Sequence, residues 1–291
     1  MKLSQIRALV MVAKCGKFSE AAMELELTQP TVSHAIAAME SELGIQLLFR
    51  GSKGVSLTPA GESILVHCHR VLDSLEDIYL EANRHKGLDG GKVRISAFRG
   101  AAAQLLPRIK AGFKSKHPQI EVQIVEEKDC PQVEQAIRQG GADLGFTTLP
   151  VAEDLDTIEI LRDDYLVLLP PDSSFPNYSQ LSWEQLISMP IISYPDRNSC
   201  YQAIASYYQD TGYCFQPCEQ VRESDTIINL VATGLGAAIL PRLSVFHVPE
   251  GVKVCQLPTS LQRVVVAVTL AEQDLSHAVW ALVDFLRETQ L

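Results

Sequence analysis

Apolar residues recur at helical spacing from the first turn of the chain. Leu3, Ile6, Leu9, Val10 and Ala13 share one face of a first helix that stops near Gly16. Residues 19–25 form a short second segment with Ser19 as N-cap and Ala21 and Ala22 at positions where another helix packs closely. Thr28 then starts a third helix, with Pro30 in the first turn, where a missing N–H costs least. Val32, Ile36, Met39 and Leu43 follow at spacings of four, three and four, and Gly44 stops it. The opposite face shows Gln29, Thr31, Ser33 and His34, small or planar hydrogen-bonding groups suited either to a major groove or to plain solvent. Residues 47–50 and 55–58 read as two short strands around the turn-rich Gly51-Ser52-Lys53-Gly54, a hairpin with a basic tip.

Thr58-Pro59 opens a long helical pattern reaching to about Lys86. Leu65, Cys68, Leu72, Leu75, Tyr79 and Ala82 make a heptad seam with Ile64, Val71 and Ile78 one position away, so the helix either pairs with a second copy or packs on its own chain. The neighbouring His67, Cys68 and His69 point in different directions on such a helix and cannot converge on one metal ion. Gly87-Leu88-Asp89-Gly90-Gly91 reads as a hinge. Strands and helices then alternate to the end: strands at 93–97, 120–125, 144–147, 165–169, 191–193, 236–240 and 264–270, and helices at 101–114, 133–139, 183–187, 201–210, 226–233 and 279–287. That texture predicts an α/β unit with a largely parallel sheet, whose ligands sit at the carboxyl ends of the strands.

Composition is that of an ordinary globular protein, and no stretch approaches the length of a membrane span. The apolar run at 8–13 is too short for a signal segment, so a cytoplasmic location is expected. The net charge of −10 is unevenly spread: residues 1–60 carry six Lys and Arg against five Asp and Glu, whereas residues 87–291 carry 16 against 25. A DNA-binding head is therefore permitted at the N-terminus. Seven scattered cysteines without a CxxC pair fit reduced thiols, and neither a metal nor a cofactor is expected. GxSxG, HExxH, Walker A and GxGxxG patterns are absent, which leaves an enzyme reading without support.

The segment FSEAAMELELTQPTVSHAIAAMESELGIQLLFRGSKGVSLTPAGE resembles the winged helix-turn-helix of the LysR-type transcriptional regulators. RISAF, KHPQIEVQIVE, GGADLGF and LVATGLGAAILP resemble that family's effector domain, of the periplasmic-binding-protein-like fold, so the likeness covers essentially the whole chain. It implies a winged helix-turn-helix over 1–58, a linker and dimerisation helix with its hinge over 59–90, and a two-lobed α/β effector domain over 91–291. Lobe I would take about 91–161 and 268–291, lobe II about 162–267. Gln29, Pro30, Thr31, Ser33 and His34 would lie at the groove of double-stranded DNA, and Arg50 and Lys53 at its phosphates. His34 stands where family members commonly carry Arg, so the bidentate reading of guanine is lost there.

Between the lobes, the layout points to Ser96, Phe98, Arg99, Gly100, Thr147, Thr148, Ser193, Asp196, Ser199 and Thr226 as candidates for a small-molecule effector. Arg99 beside a helix start would suit an anion, against the plainer reading of a solvated loop charge with hydroxyls as caps. The resemblance also implies a homodimer, favours a homotetramer and admits RNA polymerase as a further partner. Its peroxide-sensing members carry a reactive thiol near Cys200, which gives an alternative redox reading, although Cys214 does not reproduce their closely spaced pair. A solute carrier that lacks regulatory DNA binding is the remaining rival.

Overall fold

The computed structural model describes residues 1–51, 54–84, 90–271 and 275–289, with the side chains of 50, 76, 77 and 79–84 left aside. Helices α1 (Leu3–Cys15), α2 (Phe18–Glu24) and α3 (Gln29–Leu43) pack on one another, followed by the antiparallel hairpin β1 (Leu48–Gly51) and β2 (Gly54–Leu57). Ile6, Leu9, Val12, Ala21, Val32, Ile36 and Met39 form the core of this head; of the expected apolar positions, Leu3 and Leu43 are instead exposed and Val10 and Ala13 only partly buried, while Val12, outside the expected face, is buried. Helix α2 starts one residue before the expected cap, at Phe18, with Lys17 as N-cap. Gly16 and Gly44 both end their helices in the left-handed region, where glycine carries no steric penalty.

Helix α4 (Pro59–Arg84) leaves the head from Thr58, whose hydroxyl accepts from the Gly61 N–H at 2.9 Å and donates to the Gln46 carbonyl at 2.8 Å. Gly61 is required there, since a Cβ would stand 2.1 Å from the Leu47 carbonyl oxygen.

Beyond it lies a nine-stranded sheet among the described residues, built from β3 (Gly91–Phe98), β4 (Ile120–Glu127), β5 (Leu144–Thr148), β6 (Leu155–Leu169), β7 (Ile191–Ser193), β8 (Glu219–Gln220), β9 (Ala237–Pro241), β10 (Lys253–Gln256) and β11 (Gln262–Leu270). The order is β4-β3-β5-β11-β6-β9-β7-β8, with β10 also on β6. Its helices are α5 (Leu106–Lys116), α6 (Cys130–Arg138), α7 (Trp183–Ile187), α8 (Ser199–Gln209), α9 (Ser224–Ala232) and α10 (His277–Glu288); a π-helical turn at Ala101–Leu105 precedes α5.

The sheet is mixed, where a largely parallel one was expected. The pairs β3-β4, β3-β5, β7-β8 and β7-β9 are parallel, but β6 and β11 run antiparallel to each other and to their remaining partners. These two strands cross between two cores, one around Val93, Phe113, Phe146 and Leu282, the other around Leu168, Ile204, Ile228 and Ile239. A chain that passes between two lobes and returns must traverse the junction in both directions, which makes those two strands antiparallel.

Candidate functional site

In the head, burial divides α3 by face. Val32, Ile36 and Met39 are fully buried, whereas Gln29, Pro30, Thr31 and His34 are exposed and Ser33 is half-buried. Thr28 caps the helix: its Oγ1 accepts from the Thr31 N–H at 3.4 Å and lies 2.8 Å from the Thr31 hydroxyl. The Glu40 carboxylate accepts from the Leu47 and Leu48 N–H groups at 2.8 and 3.2 Å, fixing the hairpin against the far end of α3. The Val55 N–H donates to the Gly16 carbonyl at 2.9 Å and docks the hairpin on α1. The exposed N-terminal turns of α3 and the two strands of the hairpin are thus held on one small core. Lys53 and the Arg50 side chain lie outside the described residues.

A second site opens between the lobes as a cavity of about 430 Å³. The start of α6 forms one wall, the starts of α8 and α9 the other, and the end of β3 the back. Arg263 on β11 forms the floor. Its Nε donates to Asp163 at 2.9 Å, and its Cζ sits 4.7 Å from the centroid of the Phe98 ring. Nη2 lies 2.8 Å from the same carboxylate as an ion pair but makes no aligned hydrogen bond, and Arg263 is among the residues that line the cavity. Nη1 lies 3.4 Å from the Cys200 sulfur. Asp163 also accepts from the Leu243 N–H at 3.0 Å; burial still raises its pKa, against the pull of Arg263.

Several contacts hold the lobes together across this cavity. Asp129 caps two helices, accepting from the Cys130 N–H at 2.9 Å on its own lobe and from the Ser199 N–H and hydroxyl at 3.0 and 2.6 Å on the other. Arg99 donates to Asp225 at 2.8 Å and also pairs with Glu223. Gln104 donates to the Leu243 carbonyl at 3.0 Å.

Of the residues singled out by sequence, Phe98, Arg99, Gly100 and Cys200 line the cavity. Ser96, Thr147 and Ser193 are buried within β3, β5 and β7, and their hydroxyls have no partner. Thr148 lies against the Cys130 sulfur at 3.4 Å. Asp196 and Thr226 are exposed and stand off the cavity wall, and Ser199 is committed to Asp129. Asp129, Tyr194 and Arg263 escaped the sequence reading. Asp-Cys-Pro at 129–131 is a helix-start signature that could have located the first, whereas the others carry no local signal.

Two family models match the chain: "Bacterial regulatory helix-turn-helix protein, lysR family" over residues 3–62 and "LysR substrate binding domain" over residues 86–291. The chain belongs to the LysR family of DNA-binding transcription regulators. LysR-type relatives include the probable transcriptional regulator LrrA of Synechococcus elongatus, 41% identical over 99% of this chain and 97% of that protein. The fold is shared with full-length OxyR from Pseudomonas aeruginosa (TM-score 0.75, 23% identity, 99% and 98% of the two chains). It is shared too with full-length CbnR in complex with its target DNA (TM-score 0.71, 17% identity, 99% of each chain). As in LysR-type regulators generally, the DNA-binding head and the effector-binding domain are parts of one chain.

In this LysR-type chain the linker helix departs from the expected seam. Leu65 and Cys68 are buried in the head's own core, and partly buried Leu72 packs against it. Leu75 is half-buried, and the side chains of Tyr79 and Ala82 lie outside the described residues. The row beside it, Val71 and Ile78, faces outwards at 41% and 65% exposure. Cys200 is buried, which pushes its thiol pKa up while Arg263 pulls the other way; Cys214 and Cys218 are exposed.

Proposed function

We propose that this regulator reads an operator through Gln29, Pro30, Thr31, Ser33 and His34, with Arg50 and Lys53 of the wing at the phosphates, and that an anionic small molecule between the lobes controls it. The observation that carries the reading is the division of α3: Val32, Ile36 and Met39 of its apolar face are buried in the head's core, while its N-terminal turns offer short polar groups to the outside. Base edges are read by such groups and phosphates fix the register. Arg263 in the cavity lining, one of its N–H groups without a hydrogen-bond partner, together with the starts of α6, α8 and α9 supports an anion in the cleft. Arg99 is already neutralised by Glu223 and Asp225, so it acts as a gate between the lobes, released when they part. A ligand that favours one lobe arrangement shifts the head spacing by linkage.

The active unit is a homodimer joined along α4, assembled further into a tetramer, with a regulatory and not a catalytic role in the cytoplasm. Among the described residues no helix is long and apolar enough to cross a membrane. Selection of bound duplexes from a random pool tests the DNA reading. A pseudo-palindromic site should be enriched, and Gln29→Ala or Ser33→Ala should weaken binding to it by roughly 5- to 100-fold, the range of one lost base contact. Folded, dimeric protein that enriches no sequence would end it.

A further inference from the structure

Two cysteines from opposite lobes line the same cavity, and nothing in DNA reading or anion binding uses them. Cys130 is the first residue of α6 and Cys200 the second of α8; both are buried, and both line the 430 Å³ cavity. The residues just before them are bonded to each other, since the Asp129 carboxylate accepts from the Ser199 N–H at 3.0 Å and from its hydroxyl at 2.6 Å. The sulfurs converge on one stretch of the β5-β11 ladder. The Cys130 sulfur lies 3.4 Å from Thr148 Oγ1, and that of Cys200 lies 3.4 Å from Arg263 Nη1. Thr148 faces Val265 in the ladder, two residues along β11 from Arg263. Each thiol thus sits at the start of a helix and lines the open cavity, and at Cys200 the Arg263 guanidinium opposes the burial that raises the thiol pKa.

We propose that Cys130 and Cys200 form a dithiol/disulfide couple that locks the lobes together across the cleft. The oxidant is a small-molecule disulfide. The Cys200 thiolate, formed by loss of its proton and held by Arg263, attacks one sulfur of that disulfide; the S–S bond breaks and one small thiol departs, taking up a proton. The Cys130 thiolate then attacks the Cys200 sulfur of the mixed disulfide and expels the second small thiol. Two protein thiols are oxidised to a disulfide and one small disulfide is reduced to two thiols. The bond ties α6 to α8 and closes the space in which an effector would sit, so the oxidised form resists lobe opening. The couple depends on the cleft geometry and is independent of whether the head binds DNA.

The test uses the full chain carrying C214S and C218S, which removes the exposed thiols. The protein is equilibrated with glutathione and its disulfide, quenched in acid, alkylated and digested with trypsin. Lys128 and Arg138 bracket Cys130, and Arg197 and Arg222 bracket Cys200, so each lands in a separate peptide with no other cysteine. The expected product is those two peptides joined, with two hydrogens lost from the intact protein. C130S should instead stop at a glutathione adduct on Cys200. The joined form should exchange amide hydrogens at the start of α8 several-fold more slowly than the reduced form. A stable glutathione adduct on Cys200 with Cys130 still free, or no oxidation of either thiol in folded protein, would overturn the couple; unchanged exchange in the joined form would overturn the lock.

Discussion

His69, on the face of α4 that meets the effector domain, packs so tightly that a Cβ on Gly140 would stand 2.7 Å from its own Cβ. Burial, followed by the charge of Arg94, lowers its pKa from 6.5 to about 4, against a smaller pull from Asp143. A depressed base binds its proton more weakly in the docked state. The contribution of His69 to docking is therefore complete above pH 6.5 and is lost as pH falls through the window down to about 4. The imidazole resonance should titrate near 4 by NMR, and His69→Gln should remove that part of the acid sensitivity; a midpoint near 6.5 would show the ring to be solvated. Residues of this kind resist sequence reading because their partners are remote in the chain. Phe98, Arg99 and Gly100 were found because a strand end followed by a helix start is a local signal, whereas Arg263 needed the fold to bring it under Phe98.

Helix α4 shows how periodicity limits itself. Two adjacent apolar rows at heptad spacing are visible along it, and spacing alone does not say which row the head consumes. The structure gives Leu65 and Cys68 to the head and leaves Val71 and Ile78 outside. Val71→Glu with Ile78→Glu should accordingly dissociate the dimer, raising its dissociation constant by at least ten-fold in sedimentation velocity, with little change in melting temperature of the head. Leu65→Ala should do the reverse, costing about 2–5 kcal/mol of stability, as large-to-small core changes do. In the sheet, β6 was legible only over its last five residues. Its first ten carry Asp156, Glu159, Asp163 and Asp164, and along the stretch through Arg162 most positions are partly or fully exposed, so the strand does not show the apolar run of a buried one.

Across the whole molecule, Arg94 joins the linker helix to the effector domain. Its guanidinium donates to Asp73 of α4 at 3.1 Å, and to Asp143 at the foot of β5, whose carboxylate also accepts the Arg94 N–H at 2.6 Å. Strand β3 runs straight from this cluster to Phe98 at the cleft, so a shift of the lobes can reach the helix that carries the head. A double-mutant cycle with Asp73→Asn and Arg94→Met, read by urea unfolding, should give a coupling energy of about 0.5–3 kcal/mol, the range for directly contacting residues; a value near zero would mean that α4 is not seated there. The head, the long helix, the alternation of strands and helices, and the LysR-type motifs were all determined by the sequence, because apolar spacing, caps and glycine stops act within a few residues. Which apolar row faced inwards, which way the connecting strands ran, and which charges met in the cleft were settled by the tertiary structure. Those outcomes depend on contacts between residues remote from one another in the chain, and no local pattern encodes them.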